Sequence, residues 1–234
     1  MAISKKAPAL LATILITLLI PEASFRFAGS LSESFSILWN YLHHLCQMFL
    51  ALIITIILAI CIKNESFSKL GYNIHNWRWS LKTAIVFSIG YFLISLVVMA
   101  LGNSSSFLNY ELSLFNIIAD LFFDFFITPL SEEILFRGLI MGILLVYIKK
   151  KIRIGGLSIS IAGILTAVLF SLAHIGIDYH IFTITYFNPV QLLFAFGLGL
   201  FYAYMREKSG SLLGPIIAHG ASDGILTIIA LILP

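Results

Sequence analysis

Long apolar runs occupy most of this chain and restrict what it can fold into. They lie at about 7–20, 42–62, 82–101, 112–128, 133–148, 157–173, 190–205 and 211–233. Hydrophobic residues make up 60% of the 234 residues and charged residues 11%, whereas a soluble domain is about a quarter charged. A membrane-spanning helix needs about 20 apolar residues. We therefore predict an all-α polytopic membrane bundle of seven to eight helices, in a single transmembrane domain over residues 1–234.

Basic residues suggest which ends of the spans face the cytoplasm. They fall before the first run, between the second and third, after residue 148 and after the seventh: Lys5 and Lys6; Lys63, Lys69, Arg78 and Lys82; Lys149, Lys150, Lys151 and Arg153; Arg206 and Lys208. This alternation predicts seven crossings. We also expect an integral protein of a bacterial or archaeal cytoplasmic membrane. The net charge of +3 does not indicate a nucleic-acid partner. Residues 1–24 have a second interpretation as a cleaved signal peptide.

The segment 112–148 is too long for one simple crossing. As a straight helix its 37 or so residues would extend about 55 Å, against a hydrocarbon core of about 30 Å. Pro129 is expected to break or kink it. We predict a lateral or partly inserted helix up to Thr128, followed by a spanning helix that Ser131 caps. This extra element would be the eighth helix.

Three charges interrupt the stretch "TPLSEEILFRGLIMG". If Glu132, Glu133 and Arg137 faced lipid, they would together cost on the order of 8–10 kcal/mol. They are therefore expected to face the bundle interior or water. Glu133 and Arg137 are four residues apart, which lets them pair on a helix. Glu132 lies about 100° around the helix from Glu133, so it is left as a candidate general base.

Asp120, Asp124 and Thr128 form a polar stripe just before the twin acids. Their four-residue spacing places them on one helix face. This stripe either gives water access to Glu132 or is the solvated face of an interfacial helix. On a later run, Ala195, Gly199 and Ala203 predict a face of small residues for close helix packing.

Two later runs carry polar groups that also need partners inside a membrane. His174 ends one apolar run, while His219 and Asp223 lie one turn apart in another. Polar groups in apolar helices are stabilised by one another, and histidine exchanges protons near neutral pH. We predict no cofactor. Zinc is the alternative, because a carboxylate with His174 and His219 could supply three ligands.

These motifs, taken in order, resemble those of one protein family. They are Glu132-Glu133-x-x-x-Arg137, Phe170-x-x-x-His174 and His219-x-x-x-Asp223. The set resembles the CAAX prenyl protease and bacteriocin-processing family (the CPBP or ABI family), which includes the Ras-converting endopeptidases. The resemblance covers a catalytic core of about residues 112–230, and "GSLLGPIIAHGASD" is similar to the last family motif.

The resemblance implies an intramembrane glutamate-type endopeptidase. Glu132 would activate the attacking water and His174 would orient that water, while His219 and Asp223 would stabilise the oxyanion. Glu133 and Arg137 would be the supporting pair. The implied partners are the lipid bilayer and a peptide or membrane-associated protein substrate. A prenylated substrate does not follow, because bacterial relatives act on other peptides.

Asp223 stands where the family has Asn or Asp. An Asn amide can donate a hydrogen bond to an oxyanion, whereas an ionised Asp cannot. We therefore predict that Asp223 accepts from His219 and stabilises its protonated form, which makes His219 the main oxyanion donor. The alternative functions are a proton-coupled transporter or channel, since charges inside a bundle also suit transport, and a non-catalytic immunity protein.

Overall fold

The computed structural model describes residues 6–33, 36–61, 68–101, 113–154, 156–178, 181 and 183–232. Within these ranges the chain forms seven helices: α1 (Lys6–Leu31), α2 (Ile37–Cys61), α3 (Trp77–Leu101), α4 (Leu114–Tyr147), α5 (Ile161–Leu172), α6 (Pro189–Ser209) and α7 (Leu213–Ile232). Two short antiparallel hairpins pair β1 (Lys151–Ile154) with β2 (Leu157–Ser160), and β3 (Gly176–Asp178) with β4 (Thr183–Tyr186). The predicted all-α bundle is confirmed. Of the basic residues used for orientation, Lys5 and Lys63 lie outside the described ranges.

Five of the helices, α1, α2, α3, α4 and α7, are long and apolar enough to cross a membrane. The run 157–173 was also predicted to cross, but Leu157–Ser160 form β2 and the helix α5 that follows has only 12 residues. Such a helix rises about 18 Å, well short of the roughly 30 Å core. The predicted crossing by this run is therefore wrong.

Helix α4 continues through Pro129 for 34 residues, so the predicted break is wrong, while the alternative of a kink stays a prediction. A π-helical turn, Phe123–Ile127, precedes the proline, and the amide of Thr128 donates to the carbonyl of Phe123, five residues back. A proline lacks the amide that an α-helix would use at that position, and a single π turn changes the hydrogen-bond register beside it without ending the helix. The separate lateral helix does not exist, which leaves seven described helices.

Ser131 does not cap a helix, contrary to the prediction. It is fully buried within α4, and its Oγ accepts a hydrogen bond of 2.9 Å from Nε2 of Gln47 on α2. A buried amide needs such a partner, so this bond positions α2 against the middle of α4. Glu132, the next residue, lies near the middle of a 34-residue helix and not at one end of a shorter one.

The small-residue face of α6 packs closely, as predicted. Ala195, Gly199 and Ala203 are all buried. A Cβ atom at Gly199 would lie 3.2 Å from the Cα of Ala167 on α5. Because the two backbones approach this closely, α5 and α6 form a tight pair.

A second close approach joins α7 to α4. A Cβ atom at Gly220 would overlap the carbonyl oxygen of Phe125, and one at Gly224 would overlap the Phe125 ring. The Phe125 carbonyl is the one that residue 129 would bond in a regular α-helix, and Pro129 has no amide to offer it. Two glycines one turn apart thus form a groove on α7 that receives Phe125.

This packing predicts that Gly220→Ala destabilises the protein. The added methyl group meets backbone, which cannot rotate away, and overpacking of this kind costs about 1–3 kcal/mol. Gly197→Ala on α6 is the matched control, because its Cβ would meet nothing within 4 Å and alanine favours helix by up to about 1 kcal/mol. Thermal midpoints in detergent should fall for Gly220→Ala and hold or rise for Gly197→Ala. Equal midpoints for the two variants would contradict the close approach.

Candidate functional site

The structure brings together the six residues that the sequence singled out. Glu132, Glu133 and Arg137 come from α4, His174 from the turn after α5, and His219 and Asp223 from α7. The Glu132 carboxylate interacts electrostatically with four of the others: His174, His219, Asp223 and Glu133. Residues separated by as many as 91 positions in the sequence therefore share one place in the bundle.

Glu133 and Arg137 form the predicted ion pair. Nη1 of Arg137 donates to Oε1 of Glu133 at 2.8 Å, and both side chains have 0% exposure. Nη2 of Arg137 donates to the carbonyl of Gly199 on α6 at 3.3 Å. The guanidinium lies over the ring of Phe170, 4.2 Å from its centroid, which adds a cation–π contact. This part of α4, Ile134–Ile140, is a second π-helical segment.

His219 is held by the same carboxylate. Its Nδ1 lies 2.8 Å from Oε1 of Glu133, and a carboxylate only accepts, so Nδ1 carries the proton. The imidazole stacks on the Tyr202 ring at 5.0 Å and meets the Phe170 ring edge-on at 5.7 Å. These contacts keep Nδ1 protonated and fix the plane of the imidazole.

The other nitrogen of His219 faces two acids. Nε2 lies 3.3 Å from Oδ2 of Asp223 and 3.7 Å from Oε2 of Glu132, so the contact predicted between His219 and Asp223 is present. The twin acids differ in access: 18% of the Glu132 side chain is exposed, against 0% for Glu133. Glu132 is the less committed acid, as helix geometry predicted.

His174 is oriented by its own helix. Its Nδ1 lies 2.8 Å from the carbonyl of Phe170, one turn earlier. A carbonyl only accepts, so Nδ1 donates, and Nε2 is the nitrogen left to meet a ligand. The Phe170 ring packs edge-on against the imidazole at 5.0 Å. Phe170 therefore contacts Arg137, His174 and His219 at once.

The polar stripe before the twin acids faces a neighbouring helix. Oδ2 of Asp124 accepts a short hydrogen bond from Thr227 of α7. Oγ1 of Thr128 is buried and has no hydrogen-bond partner among the described residues. A solvated interfacial face does not fit these two residues. Their proposed role in giving water access to Glu132 stays a prediction.

The sequence reasoning missed a buried hydroxyl pair beside the site. The hydroxyls of Tyr202 on α6 and Ser222 on α7 lie 2.7 Å apart, and Oγ of Ser222 donates to the carbonyl of His219 at 2.7 Å. Ser222 has a single proton, so Tyr202 is the donor to it. Tyr202 shares a helix face with the small residues of α6, and a tyrosine on such a face needs a hydroxyl partner. The position of Tyr202 on this face was therefore the sequence signal that could have predicted a buried hydroxyl partner.

In the part of the chain that the structure describes, no group of three or more His, Cys, Asp or Glu side chains is arranged to hold a metal ion. Both ring nitrogens of His219 are directed at carboxylates. For this imidazole to bind a cation as zinc ligands do, a nitrogen would have to give up one of these contacts and present its lone pair.

Comparison with known proteins gives a family match. Residues 114–225 match a family model described as type II CAAX prenyl endopeptidase Rce1-like, and this range contains all six site residues. Neither the curated proteins nor the solved structures give a match to the chain. The chain is an integral membrane protein, since five apolar helices among its described residues are long enough to span a bilayer, and the match over residues 114–225, just under half of the chain, supports the CAAX prenyl protease and bacteriocin-processing family of intramembrane proteases.

Proposed function

We propose that this protease hydrolyses its peptide substrate with a water molecule that Glu132 activates. The observation that carries the proposal is the division between the twin acids. Oε1 of Glu133 is committed to Arg137 and His219 at 2.8 Å each, in full burial. Glu132 has only the 3.7 Å contact with His219 among the ion pairs of the described residues, and it is partly exposed. A carboxylate with fewer donors is the better base.

In the proposed reaction a water molecule lies between Glu132 and His174. Nδ1 of His174 is engaged by Phe170, so Nε2 orients the water. Glu132 takes one proton as the water oxygen attacks the carbonyl carbon, and the carbonyl oxygen becomes an oxyanion. Glu132 then gives that proton to the amide nitrogen as the C–N bond breaks. The products are a carboxylate terminus and an amine terminus.

His219 is the proposed donor to the oxyanion. Its Nε2 contacts to Asp223 and Glu132 are long, at 3.3 and 3.7 Å, so the proton at Nε2 is not tightly held by either acid. The carboxylates of Glu133 and Asp223 on either side of the ring stabilise the imidazolium. A preorganised charged donor of this kind acts most strongly where water is excluded, and His219 is only 4% exposed.

The substrate is a peptide or protein reached within the membrane. The matching family model is described as a prenyl endopeptidase, so a peptide with a prenylated C-terminal CAAX sequence is the first substrate to test. Unprenylated leader-type peptides of the same length form the comparison set. Product masses identify the cleaved bond in either case.

Glu132→Gln and Glu133→Gln should fail in different ways. Glu132→Gln is expected to reduce cleavage about 100-fold or more, because the base is lost, with an unchanged thermal midpoint. Glu133→Gln is expected to lower the midpoint, because removing the carboxylate leaves Arg137 buried without its partner, at a cost of about 3–5 kcal/mol. Rates and midpoints are measured on the same preparations. Near wild-type cleavage by Glu132→Gln would show that Glu132 is not the general base.

Asp223→Asn should leave substantial cleavage activity. The amide can still accept from His219, or can itself donate to the oxyanion. Cleavage rates of the variant are compared with wild type over a range of pH. Complete loss of cleavage at every pH, in a variant with an unchanged midpoint, would show that the carboxylate has another role.

Chelation should not abolish cleavage if the reaction needs no metal. The wild-type protein is treated with a strong chelator, exchanged into metal-free buffer and assayed on the same peptide. The expected rate is unchanged within about twofold, since the proposed base and oxyanion donor are protein groups. Loss of activity that added zinc restores would replace the metal-free mechanism with the zinc alternative.

A further inference from the structure

A depression of about 670 Å³ lies between the start of α3 and the end of α6. Its lining includes Lys69, Asn73, His75, Asn76 and Arg206. None of the residues of the candidate protease site lines it. We call it the α3–α6 depression.

Arg206 is a buried cation in this lining. The residue is 4% exposed, and its Nη2 donates to the carbonyl of Lys69 at 2.8 Å. Its Nε is buried without a hydrogen-bond partner, and no carboxylate among the described residues forms an ion pair with it.

Glu207, the neighbouring acid, is occupied elsewhere. Its Oε2 pairs with Nζ of Lys151 at 2.9 Å, and its Oε1 accepts from the amide of Ser160 at 2.8 Å. The Glu207 carboxylate acts on Arg206 only through space. A buried guanidinium without a directly bonded counter-charge is unfavourable. Arg206 is therefore a group that an anion in the depression would stabilise.

The start of α3 supplies a second, independent attraction for an anion. This helix has 25 residues and begins at Trp77, and its first intrahelical bond runs from the amide of Ser80 to the carbonyl of Asn76. The preceding amides of residues 77–79 have no intrahelical acceptor, and the helix dipole is positive at this end. Trp77 and Asn76 line the depression that Arg206 also lines.

Two of the exposed residues that line the depression are apolar. Ile74 is 72% exposed and Trp77 is 47% exposed, and tryptophan is typical of the level where lipid headgroups lie. Lys69 also lines a neighbouring depression with Lys149 and Lys151. A buried cation beside exposed apolar side chains suits a phosphate group with apolar chains attached better than it suits a fully polar anion.

We propose that the α3–α6 depression is a binding site for a phosphate group. The phosphate belongs either to an anionic phospholipid of the surrounding membrane or to a soluble phosphate ester. Arg206 and the start of α3 bind the phosphate oxygens, and Lys69 adds positive charge at the edge. This site includes none of the proteolytic residues, so a negative result here would not contradict the function proposed for Glu132.

The test uses the purified full chain in a neutral detergent, with the thermal midpoint as the readout. The probes are phosphatidylglycerol in mixed micelles, inorganic phosphate at constant ionic strength, and diacylglycerol with the same acyl chains. A saturable rise with phosphatidylglycerol alone assigns a lipid headgroup, and a rise with inorganic phosphate assigns a soluble ester. Diacylglycerol should have no effect. No rise with either phosphate probe, or an equal rise with diacylglycerol, would overturn the proposal.

Variants then locate the site. Arg206→Gln should weaken the apparent affinity for the active probe about 10-fold or more, since it removes a charged hydrogen bond. Lys208→Gln, an exposed residue at the same end of α6, removes equal charge and should change affinity by less than about twofold.

Lys69→Gln keeps the backbone carbonyl that Arg206 bonds and should weaken affinity by about threefold. If Arg206→Gln does not fold, the affinity of Lys69→Gln tests whether the probe binds in the α3–α6 depression. The assignment would be overturned if Lys69→Gln, and Arg206→Gln where it folds, bound the probe with the same affinity as Lys208→Gln.

Discussion

One carboxylate oxygen and the arginine that it pairs with join three helices of this bundle. Oε1 of Glu133 accepts from Arg137 on its own helix α4 and from His219 on α7, and Arg137 reaches on to the carbonyl of Gly199 on α6. Each of these charged groups would be costly if left alone inside an apolar bundle. The need to keep them paired fixes the register of α4, α6 and α7, and that register places His219 opposite Glu132.

The pairing depends on a short distance between α4 and α7. Gly220 and Gly224 give α7 a surface without side chains, and the backbone and ring of Phe125 fill it. Pro129 contributes by leaving the Phe125 carbonyl without its usual helical donor. Gly220, next to His219, and Pro129, near Glu132, therefore act through the backbone. They allow the close packing that brings two acids and a histidine together. They need not take part in the chemistry.

The sequence predicts those features that follow from local rules. Run length predicts the bundle, and the four-residue spacing predicts the pair of Glu133 and Arg137. The continuity of α4 through Pro129 could not be predicted, because the π turn before it is an irregularity of a helix that packs along α7. The bond from Tyr202 to Ser222 joins two helices, and sequence spacing does not report contacts between helices. From the sequence, Arg206 is only a topology signal. Its burial arises from the tertiary fold and so cannot be predicted from its position in the chain.

Glu132 is proposed to act on water and not directly on the substrate. A single-turnover cleavage in water enriched in ¹⁸O tests it most directly, with product and enzyme peptides examined by mass spectrometry. We expect one ¹⁸O atom in the new carboxyl terminus and none in the Glu132 carboxylate, because the attacking oxygen comes from solvent. An unlabelled product together with ¹⁸O on Glu132 would show that this carboxylate attacks the peptide itself, and would contradict the proposed mechanism.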